Sequence, residues 1–510
     1  MMTEQDARTE DRRTDARTPP RPAVEVGLAR AGLPVLLLIC LIVHGMIITP
    51  QVLGQEAWPL EFIFLTAALG TILLLFAWRI PYTRIQESIQ DRTRTALPAI
   101  YMLMVIGVLI GSWTAAGTIP MLVHHGMLII DPAWLYLVAF LLTSLFSVLT
   151  GTSWGSAGTI GVVLINVGLA SEAHLGLLAG AIISGAYFGD KMSPLSDTTN
   201  MAAMGAGTPL YSHVRSMMNT TFPAYAIVCA IYVALVFLMP TRGEDVAELV
   251  RPTVDALAAG FSFNPVVLLP VLVIAVGAIL RKPPLPTMLI SSATAALLAV
   301  LVQGLSVADI VGATINGVTG DMLAAPLGDE RALAVVERGG LYSMASAVLI
   351  TLCVFMYIGA LDVIDAMGTV VRTVFGRVTS RPGTIIASLL SAAIVNGFTS
   401  NQYATSFIIG DAFGRKYDDA RIPRKVLSRS IEDYGTSIEP MLPWTTTGIY
   451  MVATLGVAYS AYVPFLFLQM LGFIIAPLLA ITGIGCFYHQ VRAAEKAPTG
   501  ESTAAQRAGS

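Results

Sequence analysis

Ser184-Gly185-Ala186-Tyr187-Phe188-Gly189-Asp190-Lys191-Met192-Ser193-Pro194-Leu195-Ser196-Asp197-Thr198-Thr199-Asn200 is the stretch whose reading decides the fold. An apolar helix leads into two carboxylates, one ammonium and a dense set of hydroxyl and amide oxygens, interrupted by Pro194. Ionisable groups at bilayer depth are costly and mark functional positions. A helix that ends inside the membrane in such a run predicts a polar site there.

The surrounding chain sets the depth. Of its 510 residues 55% are hydrophobic and 12% charged, against about 25% charged in ordinary soluble domains. Apolar windows of about 20 residues, enough to cross the hydrocarbon core, recur from Leu33 onward. They are continuous rather than alternating, which excludes a β-barrel. The expected class is an all-α polytopic membrane protein with about 11–14 membrane segments, some of them broken or re-entrant. The net charge of −3 says little, since both signs sit mostly in tails and loops. Cys40, Cys229, Cys353 and Cys486 lie singly in apolar segments and match neither a metal site nor a disulfide framework.

Basic residues orient the spans. Arg79, Arg84, Arg92 and Arg94 form one loop cluster, Arg281 and Lys282 a second, and Arg415, Lys416, Arg421, Arg424 and Lys425 a third. Lys/Arg-rich short loops stay on the cytoplasmic side. The expected layout is a disordered cytoplasmic tail over 1–30, a first repeat over 31–240, and an outer linker over 241–262. A second, inverted repeat over 263–490 and a cytoplasmic tail over 491–510 complete it. The repeat is suggested by Gly117 and Gly126, whose spacing of nine recurs at Gly359 and Gly368 about 242 residues later. In that register Asp190 corresponds to Glu432-Asp433. Inverted repeats with interrupted helices at matching places point to a transport site at the membrane midplane.

Each half carries two polar interruptions. The first half has Thr150-Gly151-Thr152-Ser153-Trp154-Gly155-Ser156 and the Asp190–Asn200 run. The second has Asn396-Gly397-Phe398-Thr399-Ser400-Asn401-Gln402 and the long run Glu432–Thr447. Glycine and proline free backbone carbonyls, and with Ser, Thr and Asn oxygens these make a shell suited to a small hard cation. A carboxylate in that shell can hold a proton or a metal cation. The candidate ion- and proton-binding residues are Asp190, Asp197, Asn200, Thr198, Ser193, Glu432, Asp433, Thr436, Thr152, Ser153, Thr399, Ser400 and Asn401. Lys191 is a candidate charge partner, and Asp190 with Asp433 are the candidate Na+ ligands. Asp411 and Lys416 adjoin a basic loop and read as solvated. Gly189-Asp190 is a weak hit for an intramembrane aspartyl protease, and the duplicated polar shell argues against that chemistry. Interrupted helices also build channel filters, but the repeat and the carboxylates favour alternating access.

Two motifs carry a family resemblance. Thr150–Gly155 followed by Gly180–Asn200, and Leu427–Thr436 with Pro443-Trp444-Thr445, resemble the signature of the NhaC-type Na+/H+ antiporters, over roughly residues 90–490. The resemblance implies a member of the ion transporter superfamily, with inverted repeats, re-entrant hairpins, an elevator-like motion and a homodimeric assembly in the cell membrane. It implies exchange of Na+ for H+ with no cofactor, no nucleic-acid partner and no enzyme activity. Na+- and H+-coupled malate/lactate exchange is the alternative, for which Lys191 and Arg429 would supply positive charge. The chain departs from the family pattern at Gly410-Asp411-Ala412-Phe413, where a Pro-Gly-Arg-like turn is usual. It departs again at Glu439, an acid where a small or polar residue is usual.

The orientation is testable. In a variant lacking the four native cysteines, Arg84→Cys, Lys282→Cys and Arg421→Cys are each expected to react with a membrane-impermeant maleimide from the cytoplasmic side only. Labelling of any one from the outer face would reverse that loop.

Overall fold

The computed structural model describes residues 24, 26–238, 243–280, 282–323, 327–376 and 378–488. Most of the expected tails, 1–30 and 491–510, and Arg281 of the second basic cluster lie outside these residues. Every regular element among the described residues is helical. The first half runs α1 (Leu28–Gln51), α2 (Leu60–Ala77), α3 (Tyr82–Ala115), α4 (Thr118–Ile129), α5 (Leu135–Thr150), α6 (Ser153–Ala170), α7 (Leu175–Met192), α8 (Asp197–Ala206) and α9 (Leu210–Leu238). Next come α10 (Gly243–Gly260), α11 (Leu269–Ile279), α12 (Pro284–Leu301), α13 (Val307–Asn316) and α14 (Glu330–Val336). The chain continues with α15 (Ala345–Asp362), α16 (Ala366–Phe375), α17 (Arg381–Thr399), α18 (Gln402–Asp419), α19 (Arg424–Ser430), α20 (Thr446–Leu455), α21 (Tyr459–Tyr462) and α22 (Phe467–Thr482).

Among the described residues eight helices are long and apolar enough to cross a membrane, or up to ten if two bent pairs each count as one span. This is a multi-pass membrane protein. Further apolar helices of 10–17 residues, among them α5 and α22, are too short to count as full spans by themselves. The stretch read as an outer linker is largely the helix α10, whose second part meets Pro265–Gly277 at a bend of 102°. The stretch 427–456 is divided: α19 continues through the wide π turn Ile431–Thr436, and a 3-10 turn at Glu439–Met441 precedes α20.

The helix breaks repeat. Gly151 ends α5 in the left-handed region at φ +69°, and the Thr152 side chain caps α6 by accepting from the Gly155 N–H. Ser400 ends α17 at φ +49°, and Asn401 caps α18 by accepting from the Ala404 N–H. Ser196 caps α8 and Thr445 caps α20 in the same way, and both half-helices end on a left-handed glycine, Gly207 and Gly456. Ser400, Asn401, Thr445 and Gly456 each follow their counterparts Gly151, Thr152, Ser196 and Gly207 by 249 residues. The structural repeat is therefore seven residues longer than the glycine spacing suggests. In this register Asp190 corresponds to Glu439, not to Glu432-Asp433.

The two halves also exchange contacts reciprocally. α2 packs on α15 while α12 packs on α3, and α1 packs on α16 while α10 packs on α4. α8 lies on α18, and α20 lies on α6. Such exchange is how two repeats pack about a pseudo-twofold axis. Close contacts run through small residues, which let helix backbones approach in a bilayer. Gly185 and Gly189 of α7 face the α5 backbone at Phe140–Ser144 and Ser147–Val148, where the Ser147 hydroxyl donates to the Ala186 carbonyl at 2.5 Å. Gly205 of α8 meets Gly410 of α18.

A Cβ at Gly410 would collide with the Gly205 carbonyl oxygen, whereas one at Gly472 in α22 meets nothing within 4 Å. Gly410→Ala is expected to destabilise the purified protein by about 1–3 kcal/mol and to lower its melting temperature. Gly472→Ala is expected to leave it unchanged or raise it slightly.

Candidate functional site

Asp190 lies in the last turn of α7, where the helix stops short of Pro194, and only 5% of it is exposed. Its Oδ2 accepts from the Ser153 hydroxyl at 2.8 Å and its Oδ1 from the Ser196 hydroxyl at 2.5 Å. Both donors sit at helix breaks: Ser153 opens α6, and Ser196 is the α8 cap. Thr199 donates to the Asp190 carbonyl at 2.9 Å, which ties the start of α8 back to the end of α7. The carboxylate is thus held between the two interruptions of the first half, by groups that the breaks themselves present.

Glu432 and Asp433 come from the second half. They lie in the π turn that follows α19, and both are buried. π turns inside helices recur at functional sites. Adjacent residues on one helix face different directions, yet both are enclosed because α8, α17, α18 and α22 surround this turn. Thr198 donates to Glu432 Oε1 at 3.1 Å and is itself 3.0 Å from the Ser196 hydroxyl. A chain of two hydroxyls therefore joins Asp190 to Glu432. Thr220, from the middle of α9, donates to Asp433 Oδ1 at 3.0 Å. Glu432 Oε2 and Asp433 Oδ2 are buried without a protein partner.

Lys191 joins the halves a second time. Its Nζ donates to the Ser437 hydroxyl at 2.7 Å and lies 3.8 Å from Asp433 Oδ1, and the side chain is almost fully buried. The cluster holds three carboxylates and one ammonium in the protein interior. An uncompensated buried charge is strongly unfavourable, so this set calls for protons or a further cation. Among the described residues no three His, Cys, Asp or Glu side chains gather closely enough to hold a metal ion alone. A cation here would draw on mixed donors, the two orphan carboxylate oxygens together with hydroxyls and backbone carbonyls.

The other predicted residues divide. Ser153 and Thr198 belong to the network. Thr152 and Asn401 are caps. Ser193 donates to the Val148 carbonyl and braces the α7 break, and Asn200 donates to the Pro194 and Ser196 carbonyls. Asp197 is exposed on the first turn of α8 and accepts from the Tyr403 hydroxyl at 3.1 Å. Ser400 accepts from the Thr446 N–H at 2.6 Å, joining the second hairpin to α20. Thr399 and Thr436 are buried with hydroxyls that have no partner. Asp190 and Asp433, the pair offered as Na+ ligands, lie on two branches, one leading through hydroxyls to Glu432 and the other to Lys191. Lys416 is engaged locally, donating to the Phe375 and Gly376 carbonyls at the end of α16.

Ser196, Thr220 and Ser437 were not singled out from the sequence. Ser196 and Ser437 stand inside the quoted polar runs, so the signal was present. Thr220 lies in the polar first half of α9, beside Asn219 and Thr221, and that cluster is the signal that could have found it.

Comparison with known proteins follows the same residues. A sequence model of the Na+/H+ antiporter family matches residues 185–484. The chain is 35% identical to an uncharacterized Na(+)/H(+) antiporter of Haemophilus influenzae, over 84% of this chain and 91% of that one. It is 31% identical to a malate-2H(+)/Na(+)-lactate antiporter of Bacillus subtilis, over 80% and 86% of the two chains. It is also 31% identical to the Na(+)/H(+) antiporter NhaC of Alkalihalophilus pseudofirmus, over 80% and 87%.

Removing one member of a buried ion pair costs about 3–5 kcal/mol. Lys191→Met is expected to lower the melting temperature of the purified protein sharply. Adding Asp433→Asn is expected to restore part of the loss, with a coupling of about 0.5–3 kcal/mol in the double-mutant cycle. Strict additivity would show that the two groups do not interact.

Proposed function

The chain belongs to the Na+/H+ antiporter family, and we propose that it exchanges Na+ for H+ across the cell membrane through the Asp190–Glu432–Asp433 network. The observation that carries this reading is the buried set of three carboxylates against one ammonium, with two carboxylate oxygens unpartnered. A proton on a carboxylate and a sodium ion beside it satisfy the same missing charge. Each displaces the other, which is the elementary requirement for antiport. Asp190, held by Ser153 and Ser196, is the exchanging group. Glu432 extends the site along Thr198, and Lys191 keeps Asp433 compensated.

The architecture supports coupling to movement. Asp190 sits between the two helix breaks of the first half, Glu432 and Asp433 sit in the π turn of the second, and broken helices at a repeat interface suit alternating access. The second repeat is inverted relative to the first in this reading. The termini face the cytoplasm, the side of the basic loops, and the chain assembles as a homodimer. Exchange of an organic acid would require free positive charge. Lys191 is committed to Ser437 and Asp433, and Arg429 donates to the Ser216 and Gly485 carbonyls. That commitment favours cations over anions as cargo.

Everted vesicles or proteoliposomes carrying the protein are expected to show Na+-dependent proton movement across pH 6–9 that malate and lactate do not alter. Because protons compete for the same oxygens, the apparent KM for Na+ should rise as pH falls. Asp190→Asn keeps an oxygen and removes the charge, and should reduce exchange at least a hundredfold in a protein that still purifies folded. Unimpaired exchange by Asp190→Asn would overturn this assignment.

A further inference from the structure

The 249-residue register pairs Asp190 with Glu439, a buried acid outside the network above. Glu439 opens the 3-10 turn between the π turn and α20, the counterpart of the break between α7 and α8. Its Oε1 accepts from Asn396 Nδ2 at 2.8 Å. Its Oε2 accepts from the Thr447 hydroxyl at 2.7 Å and from the Tyr187 hydroxyl at 3.3 Å. The donors come from α17, α20 and α7, so both halves contribute. Among the described residues no lysine, arginine or histidine pairs with Glu439, whereas Asp433 has Lys191.

Asn396 supplies the second observation. Its Nδ2 faces three acceptors, Gln402 Oε1 at 2.9 Å, the Gly435 carbonyl at 2.7 Å and Glu439 Oε1. That surrounding sets the orientation of the amide. Its Oδ1 is then left fully buried with no partner. A buried acceptor without a donor has lost its hydrogen bond to water and gained none in return. A carboxylate without a cation and an amide oxygen without a donor stand in contact through one side chain. Trp154 closes the place from the first half: its Nε1 donates to the Thr447 hydroxyl at 3.1 Å, and its ring stacks on Tyr450 at 4.2 Å.

We propose that Glu439 and Asn396 Oδ1, with the oxygens of Thr447, Tyr187 and Gln402, form a second binding site for a monovalent cation, the repeat-related partner of the Asp190 site. One carboxylate among neutral oxygens matches a single charge, while Ca2+-type sites draw on several carboxylates. The inference rests on the antiport reading and adds to it: each cycle carries one more cation than the Asp190 network alone would bind. Na+ and H+ share this chemistry.

Calorimetry on the purified protein counts Na+ bound per chain, and a pH-indicator dye in weak buffer counts protons released as Na+ binds. The wild type is expected to bind two Na+, and Glu439→Gln one. Thr447→Val, which keeps side-chain shape, is expected to weaken one site at least tenfold and leave the other. A wild-type Na+ count retained in Glu439→Gln with one fewer proton released would assign the site to H+. An unchanged Na+ count and an unchanged proton count in Glu439→Gln, in a protein that exchanges Na+ for H+, would overturn the second site alone. A wild type that neither binds Na+ nor exchanges it would overturn the antiport reading as well. Should Glu439→Gln not purify folded, unaltered binding at both sites in Thr447→Val would overturn the proposal.

Discussion

Backbone polar groups at membrane depth must find partners inside the protein, and a broken helix leaves up to four unsatisfied at each new end. The structure is organised around this constraint. Thr152, Ser196, Asn401 and Thr445 each turn a side-chain oxygen onto the first turn of the helix that follows a break. Gly151 and Ser400 end the preceding helices in the left-handed region. These caps make the breaks tolerable. They also leave oxygen atoms and short polar side chains where an unbroken helix would present only apolar surface.

The breaks become a site because the two halves pack into each other. Small residues bring α7 onto α5 and α8 onto α18 at backbone distance, so that groups from opposite halves come within hydrogen-bond reach. Thr198 meets Glu432, Lys191 meets Ser437, and Tyr187 meets Glu439, over sequence separations of 234, 246 and 252 residues. The surplus of carboxylates over ammonium groups is then enclosed, away from water. In the proposed function, that enclosed negative charge makes cation and proton alternative occupants.

Much of this was legible in the sequence. The apolar runs, the polar interruptions and the Asp190–Asn200 and Glu432–Thr447 segments all stand out locally. The repeat was visible but displaced. Matching Gly117 and Gly126 with Gly359 and Gly368 aligned residues by identity, whereas the structure repeats backbone conformation. Gly151 corresponds to Ser400 and Thr152 to Asn401, different residue types performing the same capping. The displacement of seven residues is close to two helical turns, so the mistaken register still aligned similar helix faces. It concealed that Glu439 is the counterpart of Asp190.

The sequence by itself determined that the chain is a bundle of membrane helices, where those helices break, and which polar side chains the breaks release. Those properties follow from hydrophobicity, proline, glycine and capping side chains, all of which act within a few residues. Only the tertiary structure decided which released groups meet. Asn200 and Ser193 turned to local carbonyls, Asp197 to the surface, and Asp190 and Asp433 to separate branches of one network. Thr220 entered that network from α9, outside the polar interruptions. Such partnerships arise from helix packing between distant segments, where the side chains on facing surfaces are set by register and close approach rather than by neighbours along the chain.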